Sequence, residues 1–228
     1  MNQTERFDPG PAAKTVRQDV TTWTLRMSSP EQLRPVRAEI AMRVERSQVP
    51  SIDLSRALYA AVGAHVCWTD RFSWSHETWQ AWVHRPSMAT WIASVQGTVA
   101  GFFELEAQPD GGVEVVLFGL LPQFHGRGLG GALLTTCVEQ AWRGGVDWGG
   151  PDAGPTRHVY LRTSTLDHRH AVRNYLARGF ETAEAQTVDK PIPDPRLAPW
   201  PLPRDPRQAP ASDLCAARSG RGGVPQGW

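Results

Sequence analysis

A chain of 228 residues with 40% apolar and 21% charged residues can bury one core, and this composition excludes wholesale disorder. The net charge of +1 comes without a basic run, so we expect no nucleic-acid partner. There is no apolar stretch of about eighteen residues and no apolar leader, so neither a membrane span nor a secretory signal is expected. Three scattered cysteines predict neither disulfides nor a metal site. We therefore expect a cytoplasmic protein.

The first quarter of the chain predicts a strand followed by two helices. Residues 1–20 are polar and aperiodic and are expected to form a loose lead-in. Residues 21–27 alternate in the manner of a strand. Ser29 is placed to cap a helix over 31–46, where apolar residues recur at helical spacing. A second helix is predicted over about 52–66.

The middle of the chain predicts an antiparallel meander. Five tryptophans lie in residues 68–91, and Ser75 could cap a short helix among them. Three strands separated by glycine-containing hairpin turns follow at about 90–95, 98–106 and 113–121.

Alternating helices and strands are predicted after the meander. They comprise a helix at about 128–143, a strand at 157–163, a helix at 169–178 closed by Gly179, and a last strand from Phe180. Eight prolines fall in residues 191–210. We therefore expect the tail 191–228 to be disordered or extended.

A glycine-rich turn opens the helix at 128–143, in the segment Gly126-Arg127-Gly128-Leu129-Gly130. Glycines allow positive φ and close approach of the backbone to a ligand, and a helix start presents N–H groups to anions. The turn has no lysine, which excludes a Walker loop. A dinucleotide fingerprint is met in letters, but the preceding meander and the absence of an acidic residue after the next strand argue against it.

The turn resembles that of the GNAT superfamily of N-acetyltransferases, in which R/Q-x-x-G-x-G/A opens a helix. His125 stands here where Arg or Gln is usual. A second segment, Ala171, Tyr175, Gly179 and Phe180, matches the family pattern A-x-x-x-Y-x-x-x-G-F, with His168 where Asn is common. The likeness covers roughly residues 88–185.

The resemblance implies a mixed α/β fold over residues 21–190. Its central sheet would be largely antiparallel, with one splayed parallel strand pair and helices on both faces. It also implies acetyl-CoA as acyl donor and direct transfer without a metal. The donor's pantetheine arm would pair with Gly119, Leu120 and Leu121, and its pyrophosphate would bind N–H groups of 126–130 beside His125.

Two residues are the predicted catalytic groups. Tyr175 matches the family's general acid, which protonates the leaving thiolate; the alternative is a tyrosine packed on the sheet. Glu114 is the candidate base, since some family members place a glutamate there. Apolar neighbours on its face, including Phe118 and Leu120, would raise its pKa. The alternative is that Glu114 marks the wet end of a hairpin strand, and Glu104 and Glu106 are further candidates for the base.

The acceptor is predicted to be a small-molecule amine, because no acidic peptide groove is evident. Candidate acceptor contacts are Trp68, Asp70, Asp167 and His168. Core filling by the tryptophans and loop capping by Asp167 are the alternatives. A non-catalytic acyl-CoA sensor and a dinucleotide-dependent oxidoreductase also stay open, as does the choice between monomer and homodimer.

Overall fold

The computed structural model describes residues 15–63, 66–150 and 154–193. Seven strands form one sheet: β1 (Thr15–Met27), β2 (Arg43–Arg46), β3 (Met88–Val95), β4 (Thr98–Ala107), β5 (Gly112–Leu120), β6 (His158–Ser164) and β7 (Glu181–Pro193). The helices are α1 (Ile52–Gly63), α2 (His76–Val83), α3 (Leu129–Asp147) and α4 (Ala171–Ala177). Single 3-10 turns cover Pro30–Gln32 and Pro122–Phe124.

The sheet is antiparallel except at one place. Its order is β2-β3-β4-β5-β6-β1-β7, and β5 and β6 are its parallel pair. These two strands are paired only from Gly112 opposite His158 to Val115 opposite Leu161. Beyond that point no ladder joins them, so their carboxyl ends diverge. The predicted meander and the splayed parallel pair are confirmed.

Helices cover both faces of the sheet, and each face has its own core. On one face α3 and α4 pack over a large cluster that includes Leu129, Leu133 and Phe103. On the other face α1 and α2 enclose a smaller cluster around Tyr59 and Phe102. The mixed α/β fold class is therefore confirmed. Within the described ranges, no helix combines the length and the apolar character needed to cross a membrane.

The predicted helix over 31–46 is wrong. Ser29 does cap a turn, but the helical geometry lasts only for Pro30–Gln32, and residues 43–46 form edge strand β2 against β3. Pro35 lacks an N–H and restricts the residue before it, so a continuing helix is disfavoured there. Leu33, Ala38, Ile40 and Met42 instead pack against the core as irregular chain.

The first and last strands extend beyond their predicted bounds. Strand β1 begins at Thr15 rather than at residue 21, because residues 15–21 pair with β7 in a long antiparallel ribbon. Strand β7 continues through Pro193 and takes in the start of the segment expected to be a tail. The expectations for residues 1–14 and 194–228 lie outside the described residues.

A β-bulge at Val116 turns the end of β5. Glu104 faces Leu117 while the next residue, Leu105, faces Val115, so Val116 is an extra residue on β5. A bulge reverses the inward and outward alternation of the residues that follow it. Phe118 consequently packs against the α3 core, whereas Val116 packs against the α1–α2 core.

An ion pair is buried under the tryptophan-rich segment. The Arg71 guanidinium lies 3.3 Å from the Glu104 carboxylate, with side-chain exposures of 5% and 1%. The guanidinium also lies 4.0 Å from the ring centroid of Trp82 and 4.8 Å from that of Trp74. Ser55 and the Trp82 indole N–H donate to the same carboxylate. Trp74 and Trp82 therefore enclose the guanidinium of Arg71, in agreement with the core-filling alternative for these tryptophans.

Replacing one partner of this pair should destabilise the protein strongly. We expect Arg71→Met to lower the unfolding free energy by about 3–5 kcal/mol, because Glu104 would stay buried without its counter-charge. The double variant Arg71→Met with Glu104→Gln should regain at least half of the loss. Urea unfolding followed by tryptophan fluorescence measures both.

The matched control is Arg17→Met, which removes the exposed ion pair between Arg17 and Asp189 (side-chain exposures of 63% and 51%). We expect a change below about 1 kcal/mol there. An Arg71 variant no less stable than this control would contradict the assignment.

Candidate active site

A cavity of about 270 Å³ lies where β5 and β6 diverge. Its walls come from the end of β5, the turn before α3, the β6–α4 loop, and helices α1 and α4. Among the lining residues are Gly119, Leu120, His125, Gly126, Gly128, Gly130, Asp167, His168, Tyr175 and Trp68. The cavity therefore gathers most of the site residues predicted from the sequence.

The glycine turn has the geometry that an anion site needs. Gly126 and Gly128 both have positive φ, 72° and 73°, and Gly128 is the N-cap of α3. A Cβ built on either residue would meet nothing within 4 Å, so the backbone there faces open space. The Leu129 side chain is fully buried, and the Arg127 guanidinium lies 5.8 Å from the Phe124 ring. The turn thus offers backbone N–H groups, and the exposed Arg127 is the charged side chain within it.

The end of β5 forms the next wall. Gly119 and Leu120 line the cavity. Gly119 is also a site of close approach, because a Cβ on it would collide with Val62 of α1. Leu121 lies outside the lining, and its N–H donates to the Ala100 carbonyl at 2.8 Å. Two of the three predicted strand residues are therefore exposed to a ligand in the cavity.

Tyr175 lies at the back of the cavity with 8% of its surface exposed. Its ring contacts Phe118 and Phe180 edge to face, at centroid distances of 6.0 and 6.1 Å. Burial raises the pKa of the phenol well above its usual range, with the charges of Asp167 and Cys137 acting in the same direction. The phenol is therefore protonated near neutral pH, and its raised pKa makes it a weaker acid than a free phenol.

Asp167 and Trp68 contact each other in the cavity wall. The Trp68 indole N–H donates to Asp167 Oδ1 at 3.3 Å, while Thr163 Oγ1 and the Ser164 N–H donate to Oδ2 at 2.7 and 3.1 Å. Burial raises the pKa of Asp167 against the opposing effect of these donors. A carboxylate has about four lone-pair sites, so Oδ1 can accept one further hydrogen bond.

Glu114 lies elsewhere. It is in the paired part of β5, outside the cavity lining, and its carboxylate accepts from Arg162 at 2.8 Å and from the Tyr160 hydroxyl at 3.1 Å. The prediction of apolar surroundings for Glu114 is wrong, because the bulge at Val116 places Phe118 and Leu120 on the opposite face of the sheet. Glu104 and Glu106 are likewise outside the cavity and are paired with Arg71 and Arg85.

Asp70 is also outside the cavity lining. It is exposed, and it accepts a 2.6 Å hydrogen bond from the Tyr59 hydroxyl. Burial, followed by this contact, raises the pKa of Tyr59. The aromatic faces of the surrounding segment are occupied by the Arg71 guanidinium. The structure therefore brings Trp68, but not Asp70, to the site.

The sequence analysis did not single out several of the lining residues, among them Val62, His170 and Asn174. Val62 of α1 and His170 of the β6–α4 loop carry no motif signal, and both come to the cavity through tertiary packing. Asn174 does have a readable position, since it precedes Tyr175 on α4. Its amide donates to the Gly130 carbonyl at 3.3 Å and so links α4 to the glycine turn. No group of three His, Cys, Asp or Glu within the described ranges is arranged to hold a metal ion.

The sequence model of the acetyltransferase (GNAT) family matches residues 54–180, more than half of the chain. This range contains the cavity, the glycine turn and Tyr175. The chain therefore belongs to the acetyltransferase (GNAT) family. No curated protein matches the sequence.

Solved structures share the fold of this chain. A GCN5-related N-acetyltransferase from Sphaerobacter thermophilus aligns with a TM-score of 0.54 at 20% identity, over 79% of this chain and 53% of that one. One from Kribbella flavida aligns with a TM-score of 0.50 at 20% identity, over 78% and 60%. The chain thus spans little more than half the length of these structures, and at this identity the likeness concerns the fold.

The pH dependence of stability should reveal the environment of His168. Burial, and then the neighbouring His125, His170 and Arg169, lower the pKa of His168 to about 4. In the unfolded chain the pKa of this histidine is about 6.5. Below about pH 6.5 the unfolded state therefore binds more protons than the folded state, and the unfolding free energy decreases as the pH is lowered. When the pH is lowered from about 7 to about 5, the unfolding free energy of His168→Asn should decrease by about 1 kcal/mol less than that of the wild type. This value allows for solvent screening of the half-exposed His168 ring.

Urea unfolding at several pH values measures this difference. His84→Gln is the control, because His84 is exposed at the end of α2 and outside the cavity. Parallel pH curves for the wild type and His168→Asn would contradict the buried, neutral state of this imidazole.

Proposed function

We propose that the protein transfers an acetyl group from acetyl-CoA to a primary amine of a small molecule, by direct transfer. One observation carries this proposal. A single cavity joins the open N-terminus of α3, the end of β5 and the phenol of Tyr175. These are the three elements that a thioester donor needs for phosphate binding, arm binding and protonation of its thiolate.

The glycine turn supports binding of the donor's phosphates. Unpaired N–H groups at the start of a helix, together with the helix dipole, favour an anion. Gly126 and Gly128 leave this backbone open to approach. The pantetheine arm would extend from there along Gly119 and Leu120. Leu121 contributes only to the strand geometry, because its N–H is already bonded.

The chemistry then divides between two side chains. The amine attacks the thioester carbonyl, the C–S bond breaks, and the coenzyme leaves as a thiolate that must be protonated. Tyr175 supplies this proton, because its protonated phenol lines the cavity, while its raised pKa makes the donation less favourable. Transient ionisation of a buried phenol is unfavourable, so the proton lost by the amine must return to Tyr175 before the next cycle.

Asp167 is the group that we propose for holding the amine. It is the single carboxylate among the described residues that line the cavity, and Oδ1 has capacity for one more donor. Its raised pKa brings it closer to the range in which it can accept a proton from an ammonium group. Glu114 is the weaker candidate for the base, because its carboxylate is paired with Arg162.

The lining favours an acceptor with an apolar body and one amino group. Val62, Trp68 and Phe118 supply apolar surface beside the carboxylate of Asp167. Small-molecule amines fit this combination better than a peptide, which would need an extended groove. The monomeric or dimeric state and the cytoplasmic location stay predictions.

Two measurements test the proposal. Calorimetry compares acetyl-CoA, CoA and NADH, and a thiol-release assay with acetyl-CoA screens primary amines, including polyamines, aminoglycosides and amino acids. Absence of CoA binding at about 1 mM ligand would exclude the proposal. CoA binding without thiol release from any amine would favour an acyl-CoA sensor instead.

A charge placed in the glycine turn should abolish donor binding. We expect Gly128→Glu to weaken CoA binding at least about 100-fold, because the new carboxylate would face the phosphates at the start of α3. Gly97→Glu is the matched control, since Gly97 also has positive φ and open space but lies in the β3–β4 turn. Equal effects of the two substitutions on CoA affinity would contradict the proposed phosphate site.

Removal of the phenol hydroxyl should slow transfer while leaving donor binding unchanged. We expect Tyr175→Phe to lower kcat about 10²- to 10⁴-fold, the usual contribution of a general acid, with CoA affinity changed less than about threefold. The substitution keeps the ring contacts with Phe118 and Phe180. An unchanged kcat would exclude Tyr175 as the acid, and a thermal melt checks that the variant is folded.

A further inference from the structure

The two positions at which the motifs depart from the usual family residues lie against each other. His125 and His168 are 43 positions apart, and their ring centroids are 4.9 Å apart. His170 adds a third imidazole, 5.3 Å from His168. All three line the cavity together with Gly126 and Gly128. The glycine turn is therefore bordered by imidazoles at the two positions where the family motifs have other residues, and Arg127 is the permanent cation within the turn.

The hydrogen bonds assign the protons of two of these rings. His125 Nε2 lies 3.0 Å from the Leu120 carbonyl, which can only accept, so Nε2 carries the hydrogen. The His170 backbone N–H donates to His168 Nδ1, which therefore carries no hydrogen. His125 Nδ1 is buried and has no partner among the described residues. A second proton on His125 would break no hydrogen bond, whereas one on His168 Nδ1 would lose the contact with His170.

Both rings are neutral near neutral pH. Burial lowers the pKa of His125, and burial together with the neighbouring His125, His170 and Arg169 lowers the pKa of His168 to about 4. Of the other groups around them, Arg169 and His170 flank His168 in the same loop, Asp167 is held by three donors, and Tyr175 is protonated. Arg127 lies beside the Phe124 ring. An anion on the turn is thus the partner that could favour a cationic ring.

We propose that His125 takes up a proton when the phosphates of the acyl donor bind at the glycine turn, and so supplies a positive charge that exists only in the complex. The inference rests on the proposed function, because it needs the donor's phosphates at residues 126–130. His168 is a positioning residue in this scheme: it packs against His125 and stays neutral. The imidazole thereby replaces a permanent cation by one that the ligand induces.

Dephospho-coenzyme A is the suitable probe. Coenzyme A itself carries a phosphate monoester with a second pKa of about 6, whose titration would obscure uptake by the protein. The pyrophosphate diester of the dephospho form does not titrate near neutral pH. Calorimetry of the full chain at about pH 7, in two buffers of different ionisation enthalpy, gives the number of protons bound.

For the wild type we expect uptake of about 0.5 to 1 proton. By linkage, affinity should rise about three- to tenfold for each unit by which the pH falls between about 8 and 6.5. His125→Gln, which carries a residue usual at this position in the family, should still bind the probe but with no proton uptake. His168→Asn should retain the uptake, and the distant His84→Gln is the control for general effects of removing a histidine.

Each outcome decides the proposal. Binding with equal heat in both buffers would overturn it while leaving the acyl-CoA function standing. Proton uptake that survives in His125→Gln, or that disappears only in His168→Asn, would also overturn it, because the proton would then reside on another group. If neither coenzyme A nor its dephospho form binds, the proposed function fails, and this inference fails with it.

Discussion

The divergence of β5 from β6 is the constraint on which the site depends. Hydrogen bonding between the two strands stops after Val115 and Leu161, and the extra residue Val116 turns the remainder of β5. The opening that results is lined by backbone and by residues of the following turn and loop. A fully paired sheet would leave no space between these strands for a ligand. The loss of a few ladder hydrogen bonds is thus the condition for having a site.

The lining of the cavity contains few charged side chains. Arg71 and Glu104 neutralise each other in the α1–α2 core, and Glu114 is paired with Arg162 on the sheet. The described lining is left with one carboxylate, Asp167, and with imidazoles. In such surroundings a single proton or a ligand phosphate changes the local field strongly, because few fixed charges oppose it. This arrangement makes protonation state the main electrostatic variable of the site.

Local patterns in the sequence predicted the meander, the glycine turn and the helix bearing Tyr175 well, because each depends on residues that are close in the chain. The helix expected over 31–46 failed, since Pro35 and pairing with β3 outweighed an apolar spacing that only resembles a helix. A single bulge residue, Val116, reversed the expected face of Phe118 and removed the apolar setting proposed for Glu114. Contacts such as His125 with His168 depend on tertiary packing and leave no trace in a single sequence.

The ribbon of β1 and β7 has a consequence for engineering. Thr15 is paired with Pro193, so both ends of the described fold leave the sheet at one point, with Cα atoms about 5 Å apart. Domains fused to the two ends would be held side by side, on the opposite side of β6 from β5. A short linker could also join these ends, with new termini opened in the exposed turn at Gln96 and Gly97. The chain order of the fold could thus be permuted without interrupting either strand that borders the cavity.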